Sequence, residues 1–307
     1  MKHRLNPLQY RKSLLAFAFA LLAAISGCAW LDQKQGSLIF NPVQGEWRGY
    51  RGLPEGMQEE SIPVGPDGDR VHAWWMPAQD PQAPALLYLH GARWNLTGSV
   101  TRIPRWHQMG FSVLAIDYRG FGRSESKSVT APTEQSSIED AKAAYARLVA
   151  LAPQAKRYIF GHSLGGSIAT QLAARQPDAS GLILEGAFTN IPQMIKETKW
   201  GFLPVSFLVT QRFDTLEAID DIAMPVLIAH GTADNIVPFA MGEKLFAAAR
   251  EPKRFFRAEG GSHHNMSSTY FDGYRNAVRE FFGLGRASAS AASAPSISTR
   301  TTSTGAN

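Results

Sequence analysis

YIFGHSLGGSIA, residues 158–169, joins an apolar strand pattern to a helical pattern of small residues. Ser163 stands between glycines at the junction, in the arrangement G-x-S-x-G. In that arrangement a sharp turn from strand to helix lifts the serine hydroxyl above a sheet. We therefore interpret Ser163 as a nucleophile. The alternative is a serine that caps a helix in a phosphate loop, but the lysine or glycine spacing of such loops is missing here.

Strand and helix patterns alternate on both sides of this stretch. ALLYLH and FSVLAIDY precede it, and GLILEGA, PVLIAHG and RFFRAE follow it. Helical patterns separate these runs, and Ser137 and Asp140 have the spacing of a capping box at the start of one of them. An antiparallel hairpin is predicted around Asp67-Gly68. The alternation predicts an α/β fold, with a mostly parallel central sheet and helices on both faces.

Polar residues after the later strands are candidates for an acid and a base. A serine becomes a nucleophile when a base takes its proton and an acid orients the base. Asp234 follows PVLIAHG, and His263 and His264 follow RFFRAE, so the order serine, acid, histidine is preserved. Glu185 is the reserve acid. We interpret the other carboxylates and histidines of this region as structural: Asp214, Asp220, Asp221, His90, His162 and His230.

Two backbone amides are predicted to form an oxyanion hole. Leu164 follows the nucleophile and supplies the first N–H, and Ala92, in LHGARWN after an early strand, supplies the second. Such donors stabilise the charge that develops on a carbonyl oxygen during acyl transfer. Arg93 and Trp94 come next, and they either contact the substrate or face solvent.

Several segments together resemble the α/β-hydrolase superfamily. In family order they are LYLHGARWN, LAIDYRGFGRSES, IFGHSLGGSIA, LEGAFTN, PVLIAHGTADNIVPF and AEGGSHHN. The likeness spans about residues 60–284. The subgroup that the chain resembles is the small-lid serine hydrolases, which includes bacterial homologues of depalmitoylase-like and bud-emergence-like hydrolases. In such families the base follows a short Gly-rich turn, so the resemblance implies that GGSH ends on the base, His263, with His264 as the alternative. It also implies that Asp117 to Ser124 is a structural loop.

One position departs from that subgroup. Its members usually have asparagine after the early His-Gly pair, where this chain has Ala92. Alanine keeps the backbone N–H, but it cannot make the side-chain hydrogen bonds of asparagine.

The N-terminus has the pattern of a bacterial lipoprotein signal. Four positive charges precede SLLAFAFALLAAI, which is short for a membrane span, and ISGC resembles a lipobox. We expect a signal peptide at residues 1–27 and lipidation of Cys28. The alternatives are a plain signal peptide or an uncleaved anchor. Ala29 after the cysteine favours the outer membrane, facing the periplasm, as the location in the cell envelope.

The remaining chain divides into a tether at 28–45, a hydrolase-like domain at 46–285 and a disordered tail at 286–307, rich in Ser, Ala and Thr. Removing four positive charges with residues 1–27 lowers the net charge from +5 to +1, which argues against nucleic-acid binding. Cys28 is the single cysteine, so no disulfide forms within the chain. No cofactor or metal is expected, and protein partners are left open.

A short lid is expected at about residues 189–223. Its aromatic residues offer an apolar acyl pocket or pack beneath the lid: Trp200, Phe202, Phe207 and Phe213. The expected function is hydrolysis of carboxylic esters or thioesters through an acyl-enzyme, on acyl or lipid-like substrates. One alternative is a peptidase of the prolyl-oligopeptidase type, although no sequence is left for its usual accessory domain. The other is an inactive surface lipoprotein, which would be expected to lack a triad residue.

Overall fold

A single twisted sheet organises the protein. The computed structural model describes residues 7–198, 201–202 and 206–284. Within these residues the strands are β1 (Gln58–Val64), β2 (Asp69–Met76), β3 (Ala85–Leu89), β4 (Ser112–Ile116), β5 (Arg157–His162), β6 (Gly181–Glu185), β7 (Val226–Gly231) and β8 (Lys253–Ala258). Their order in the sheet is β1-β2-β4-β3-β5-β6-β7-β8. Strand β2 is antiparallel to β1 and β4, and every other pair is parallel, so the predicted hairpin and mostly parallel sheet are confirmed.

Helices cover both faces of the sheet, as the alternating pattern predicted. They are α1 (Pro7–Phe40), α2 (Ile103–Gln108), α3 (Glu134–Leu151), α4 (Leu164–Ala173), α5 (Ile191–Lys196), α6 (Thr215–Asp220), α7 (Phe239–Ala248) and α8 (Phe271–Phe282). One apolar cluster lies under α3, α4, α6 and α7, and a second lies under α2 and α8. Strands β3, β4, β6 and β7 are buried along their whole length, because side chains on both faces contact helices, whereas the edge strand β8 is only partly buried.

The start of α3 differs from the prediction. Thr133 caps the helix and exchanges hydrogen bonds with Ser136, so the capping box lies four residues before the predicted one at Ser137 and Asp140. Asp140 is instead fully buried and accepts hydrogen bonds from the backbone and the guanidinium of Arg119, at 2.8 and 2.6 Å. The carboxylate of Asp140, which the spacing assigned to the helix cap, therefore forms a buried ion pair with Arg119.

Residues 7–40 form one continuous helix, α1, that includes residues 7–27 of the predicted signal and the exposed Cys28. Its last residue, Phe40, is completely buried and contacts the rings of Tyr118, Phe121 and Phe213. Phe40, which falls within the predicted tether over 28–45, thus belongs to the core. Among the residues that the structure describes, no helix has the length and hydropathy needed to cross a membrane.

The segment predicted as a lid contains only short elements among its described residues. These are α5, a 3₁₀ turn at Ser206–Leu208 and α6. The turn is fixed to α1, because Gln35 donates a hydrogen bond to the carbonyl of Leu208 at 2.7 Å and accepts one from the amide of Thr210 at 2.8 Å. Trp200 and the tail at 286–307 lie outside the described residues.

Candidate active site

Ser163 lies at the turn between β5 and α4, where the sequence predicted it. Its backbone has φ 54° and ψ −120°, a strained conformation for a residue with a side chain. A Cβ at Gly161 would lie 2.1 Å from the carbonyl oxygen of Gly165, and one at Gly165 would lie 2.3 Å from that of Leu89. The two flanking glycines are therefore required for the close approach of strand and helix, and the turn exposes the serine at the carboxyl end of β5.

His263 and Asp234 form a buried pair. Nδ1 of His263 lies 2.7 Å from Oδ2 of Asp234, and both side chains are almost inaccessible to solvent. The other oxygen of Asp234 accepts hydrogen bonds from the amides of Ile236 and Val237, at 2.9 and 2.8 Å. The carboxylate is thus fixed in place, and Nε2 of His263 is the nitrogen left for proton transfer.

A second histidine contacts the same carboxylate. His230 is completely buried, and its Nε2 lies 3.0 Å from the carbonyl oxygen of Val237 and 3.3 Å from Oδ2 of Asp234. Burial alone would raise the pKa of Asp234, but the hydrogen bonds with His230 and His263 outweigh it and hold that pKa well below its usual range. The sequence analysis classed His230 as a packed or loop-bonded histidine and missed its contact with the candidate acid.

His264 occupies a different environment from its neighbour. It lies at the surface, where its ring stacks on Trp94 at 5.1 Å between centroids. Partial desolvation, followed by the charges of His263 and Arg102, lowers the pKa of His264 to about 4. Of the two candidate bases, His263 is the one paired with Asp234.

Glu185, the reserve acid, belongs to a buried cluster that the sequence did not reveal. It forms an ion pair with Arg102, and its Oε1 lies 3.3 Å from Nδ1 of His162. Arg102 also lies 3.4 Å from Nε2 of His162. Burial, followed by the charge of Arg102, lowers the pKa of His162 well below its ordinary value, so this imidazole is neutral. The rings of His162 and His263 are 4.8 Å apart, which places the cluster directly against the candidate base.

The predicted oxyanion residues, Ala92 and Leu164, line one cavity together with Ser163. The preceding Gly91 is closely packed, since a Cβ there would lie 3.2 Å from that of Ser163. The loop continues through Arg93, which has a positive φ of 68° and donates its amide hydrogen to the carbonyl of Phe40 at 2.7 Å. The end of α1 therefore holds the loop that carries one proposed oxyanion donor.

Further bonds fasten the chain after α1 to the same loop. Asn95 donates to the carbonyl of Gly45 at 2.9 Å, and Thr97 accepts from the amide of Trp47 at 2.6 Å. These contacts span about fifty residues of sequence, and no local pattern announces them.

The cavity at Ser163 has a volume of about 580 Å³ and a mostly apolar wall. Helix α5 and its approach contribute Phe188, Ile191, Met194 and Ile195, and the end of α1 contributes Leu38 and Ile39. Ile236 and Val237, beside Asp234, close the other side. Arg93 and Trp94, left open by the sequence, both line the cavity, together with His263 and His264.

The sequence left two roles open for the aromatic residues of the lid, and none of those that the structure describes lines the cavity. Phe202 and Phe207 are 77% and 79% exposed and do not line the cavity, and Phe213 is buried beneath it against Phe40. The aliphatic residues of α5 and α1 form the wall instead. Helix α5 is short and is capped by Asn190, whose side chain accepts the amide hydrogen of Gln193. Its apolar residues line the cavity together with Ser163.

The described residues include one cluster of three potential metal ligands. Ring nitrogens of His162, His263 and His264 lie within 4.8 Å of one another. Nδ1 of His263 is already paired with Asp234, and the guanidinium of Arg102 lies against His162. A cation next to that guanidinium would be repelled, so this cluster fits a proton-transfer site better than a metal site.

Comparisons with known proteins agree with this architecture. The family model described as serine aminopeptidase, S33 (Hydrolase_4) matches residues 80–217. An uncharacterised protein of Mycobacterium tuberculosis, Rv2307c, is 30% identical over 258 residues, with 83% of this chain and 89% of that protein covered. The lysophosphatidylserine lipase ABHD12 of Danio rerio is 34% identical over 201 residues, which cover 59% of this chain and 51% of the lipase.

Solved structures show the same fold. The esterase Pf2001 of Pyrococcus furiosus superposes with a TM-score of 0.64 at 17% identity, over 79% of this chain and 97% of the esterase. Est1E of Butyrivibrio proteoclasticus, with ferulic acid bound, superposes with a TM-score of 0.59 at 19% identity, over 72% and 97% of the two chains. The chain belongs to the α/β-hydrolase superfamily. This conclusion rests on the sheet order, the turn at Ser163, the matching family model and Rv2307c, which matches over most of its length.

Proposed function

We propose that the protein is a serine hydrolase that cleaves carboxylic esters or thioesters through an acyl-enzyme on Ser163. The observation that carries this proposal is the shared cavity. Ser163 and His263 both line it, and Asp234 lies 2.7 Å from Nδ1 of that histidine. A nucleophile, a base and an orienting acid are the groups that acyl transfer needs.

In the proposed first step, Nε2 of His263 takes the proton of Ser163 as Oγ attacks the carbonyl carbon. The amides of Ala92 and Leu164 donate to the oxygen that becomes negative, and each such donor contributes about 3 kcal/mol to the barrier reduction. Asp234 stabilises the imidazolium. The low pKa of Asp234 keeps this carboxylate ionised across the physiological range, so it supplies charge rather than a proton.

In the proposed second step, the imidazolium of His263 gives its proton to the departing alcohol or thiol, which leaves an acyl-enzyme on Ser163. A water molecule then attacks the acyl carbon while His263 again takes a proton. Breakdown of this second tetrahedral intermediate releases the carboxylic acid and restores the serine.

The composition of the cavity supports an acyl or lipid-like substrate. The wall opposite Ser163 is aliphatic, with Met194 and Ile195 on α5 and Leu38 and Ile39 on α1. Apolar walls of this kind bind acyl chains by burying them from water. The name of one relative, a lysophosphatidylserine lipase, points to the same class of substrate.

We also propose that lipidated Cys28 holds the protein at a bacterial envelope membrane, in the outer membrane facing the periplasm. Exposed large apolar residues outside the predicted signal support this proposal. Apart from Leu53, they lie on α1 or in the cavity lining, or belong to the segment after α5: Trp30, Leu38, Ile236, Phe202, Phe207 and Leu208. Mass spectrometry of the protein expressed in bacteria tests it. A diacylated Cys28 at a new N-terminus is expected, and an intact residue 1 would contradict it.

A peptidase is the second candidate, because the matching family model is named for a serine aminopeptidase. The same triad would then attack an amide. Turnover of aminoacyl p-nitroanilides, in the absence of ester turnover, would favour it over the ester hydrolase.

Labelling with a fluorophosphonate tests the proposed function directly. We expect the probe to modify Ser163 in the wild-type protein and to leave Ser163→Ala unmodified. His263→Ala should react far more slowly than the wild type, and His264→Ala should react at a similar rate to it. An unlabelled wild-type protein would support the alternative of an inactive surface lipoprotein.

A further inference from the structure

A second, polar cavity lies beside the apolar one, and the two share a wall. That wall is the stacked pair of Trp94 and His264, which line both cavities. The polar cavity has a volume of about 170 Å³, and its other lining side chains include Arg102, Arg105, Ser267 and Ser268. No carboxylate is among its lining residues.

The two arginines of this cavity differ in their charge balance. Arg102 is buried, and its charge is paired with that of Glu185. Arg105 is half-buried, donates to the amide oxygen of Gln108 at 3.1 Å and lies over the ring of Phe271 at 4.8 Å. Neither of these two partners carries a negative charge. The ring of Phe271 thus holds the guanidinium of Arg105 at the cavity. Neither Phe271 nor Gln108 neutralises its positive charge.

The polar cavity also lies close to the reacting groups. The rings of His264 and the proposed base, His263, are 4.8 Å apart. A group in the polar cavity is therefore separated from the proposed base by little more than one imidazole. The low pKa of His264, about 4, keeps this ring neutral at physiological pH, so it can separate the cavities without adding charge.

We propose that this polar cavity is a subsite for a phosphate group on the alcohol side of the ester, with Arg105 as its principal ligand. This inference rests on the proposed ester hydrolase function. The acyl chain then occupies the apolar cavity, and a short carbon bridge passes the Trp94–His264 pair. A guanidinium binds phosphate oxygens through parallel N–H donors, and the hydroxyl of Ser267 supplies a further donor.

The substrate class that fits both cavities is an acylated glycerol phosphate or its phosphodiester. Uncharged esters of the same acyl chain fill the apolar cavity but leave Arg105 without its ligand. The subsite is expected to favour anionic substrates over neutral ones by a factor that depends on Arg105.

The test compares two substrates and three proteins. Full-length wild-type protein, Arg105→Gln and Arg275→Gln are assayed on a monoacylglycerol and on the acylglycerol 3-phosphate with the same acyl chain. Arg275 is the matched control, since it also lies over Phe271, at 5.4 Å, but pairs with Asp272 and does not line the cavity. We expect the wild-type protein to prefer the phosphate ester in kcat/KM. Arg105→Gln should lower that preference about tenfold, as expected for the loss of a charge-assisted hydrogen bond, whereas Arg275→Gln should keep it.

A binding measurement separates this inference from the proposed chemistry. Calorimetric titration with glycerol 3-phosphate should give binding to the wild-type protein that Arg105→Gln weakens, even if neither ester is hydrolysed. Inorganic phosphate is titrated in parallel, and tighter binding of glycerol 3-phosphate is expected if the ligand is part of a head group. Equal binding by wild type and Arg105→Gln, with an unchanged substrate preference, would overturn the subsite while leaving ester hydrolysis intact. Absence of turnover of both esters, with binding retained, would overturn the hydrolase instead.

Discussion

Two regions of the same cavity are built in different ways. The strand-end site consists of Ser163, Asp234 and His263, which follow β5, β7 and β8 and are held by buried contacts. The acyl wall consists of the apolar residues that α1 and α5 contribute opposite the serine. It is partly exposed, and Leu38 on α1 has 80% of its surface accessible to solvent.

The two regions differ in the geometric precision that their proposed roles require. Atoms that exchange a proton must stay within a few tenths of an ångström of their positions, and a parallel sheet with buried polar contacts supplies that rigidity. An acyl chain needs only apolar contact, which surface segments supply with looser geometry. Substitutions in the strand-end site should therefore act on turnover, and substitutions in the acyl wall should act on substrate preference.

The largest effect is expected for the strand-end site. Ser163→Ala and His263→Ala should each lower kcat for a p-nitrophenyl ester by at least about 10⁴-fold, because each removes a group that bond making requires. His264→Ala should stay within about tenfold of the wild type. Circular dichroism checks that all three variants keep their fold. An equally severe loss in His264→Ala would make His264 the base and would break the assignment of His263.

Phe40 tests whether the end of α1 belongs to the rigid region. Phe40→Ala should cost about 3–5 kcal/mol of unfolding free energy, because it empties a fully buried site among three aromatic rings. It should also lower kcat, because loss of the buried ring loosens the segment whose backbone carbonyl accepts the amide hydrogen of Arg93. Urea unfolding with Leu38→Ala as the control measures the difference. Equal stability of the two variants would show that α1 is not part of the core.

The acyl wall predicts a graded dependence on chain length. For the wild-type protein, kcat/KM on p-nitrophenyl esters should rise about fourfold for each added methylene until the cavity is filled, following about 0.8 kcal/mol per buried CH₂. Met194→Trp should move the optimum to shorter chains. Phe207→Ala is the control, because Phe207 is exposed and lies outside the cavity lining. A sharp preference for acetyl esters in the wild type would contradict the acyl wall.

The smallest effect concerns the pH dependence of stability. The pKa of His264 is lowered from 6.5 to about 4, so the unfolded chain binds the extra proton first as the pH falls between these values. The stabilisation that His264 contributes as a neutral ring is present above pH 6.5 and is lost toward pH 4. His264→Asn should therefore lose less thermal stability than the wild type between pH 7 and 4.5. Ser268→Ala, a non-titrating change at the same surface, should follow the wild-type slope.

The strand-end site was predictable because its determinants are local in sequence. Gly161 and Gly165 are needed because β5 and α4 approach closely there. The five-residue pattern G-x-S-x-G indicates this requirement in the sequence. Asp234 and His263 were predicted because parallel strands bring their carboxyl ends to one edge. The preference for His263 over His264 came from family resemblance. The structure adds the contact between His263 and Asp234 at 2.7 Å.

Other parts of the site had no local signal. Arg102 contacts Glu185 across 83 residues of sequence and His162 across 60, and an isolated arginine gives no pattern from which such a cluster is inferred. The positions of Phe202, Phe207 and Phe213 were left open for a related reason. Hydrophobicity indicates that a residue prefers burial or a partner, but it does not say whether the residue reaches the core, the cavity or the surface.

The amino-acid sequence alone determined the α/β fold class, the mostly parallel sheet and the turn at Ser163, because periodicity and steric need act over a few neighbouring residues. Only the tertiary structure decided that Phe40 joins the core, that aliphatic side chains of α1 and α5 line the cavity at Ser163, and that Arg105 faces a second cavity. Those outcomes depend on which distant segments come into contact, and that is a property of the packed chain as a whole.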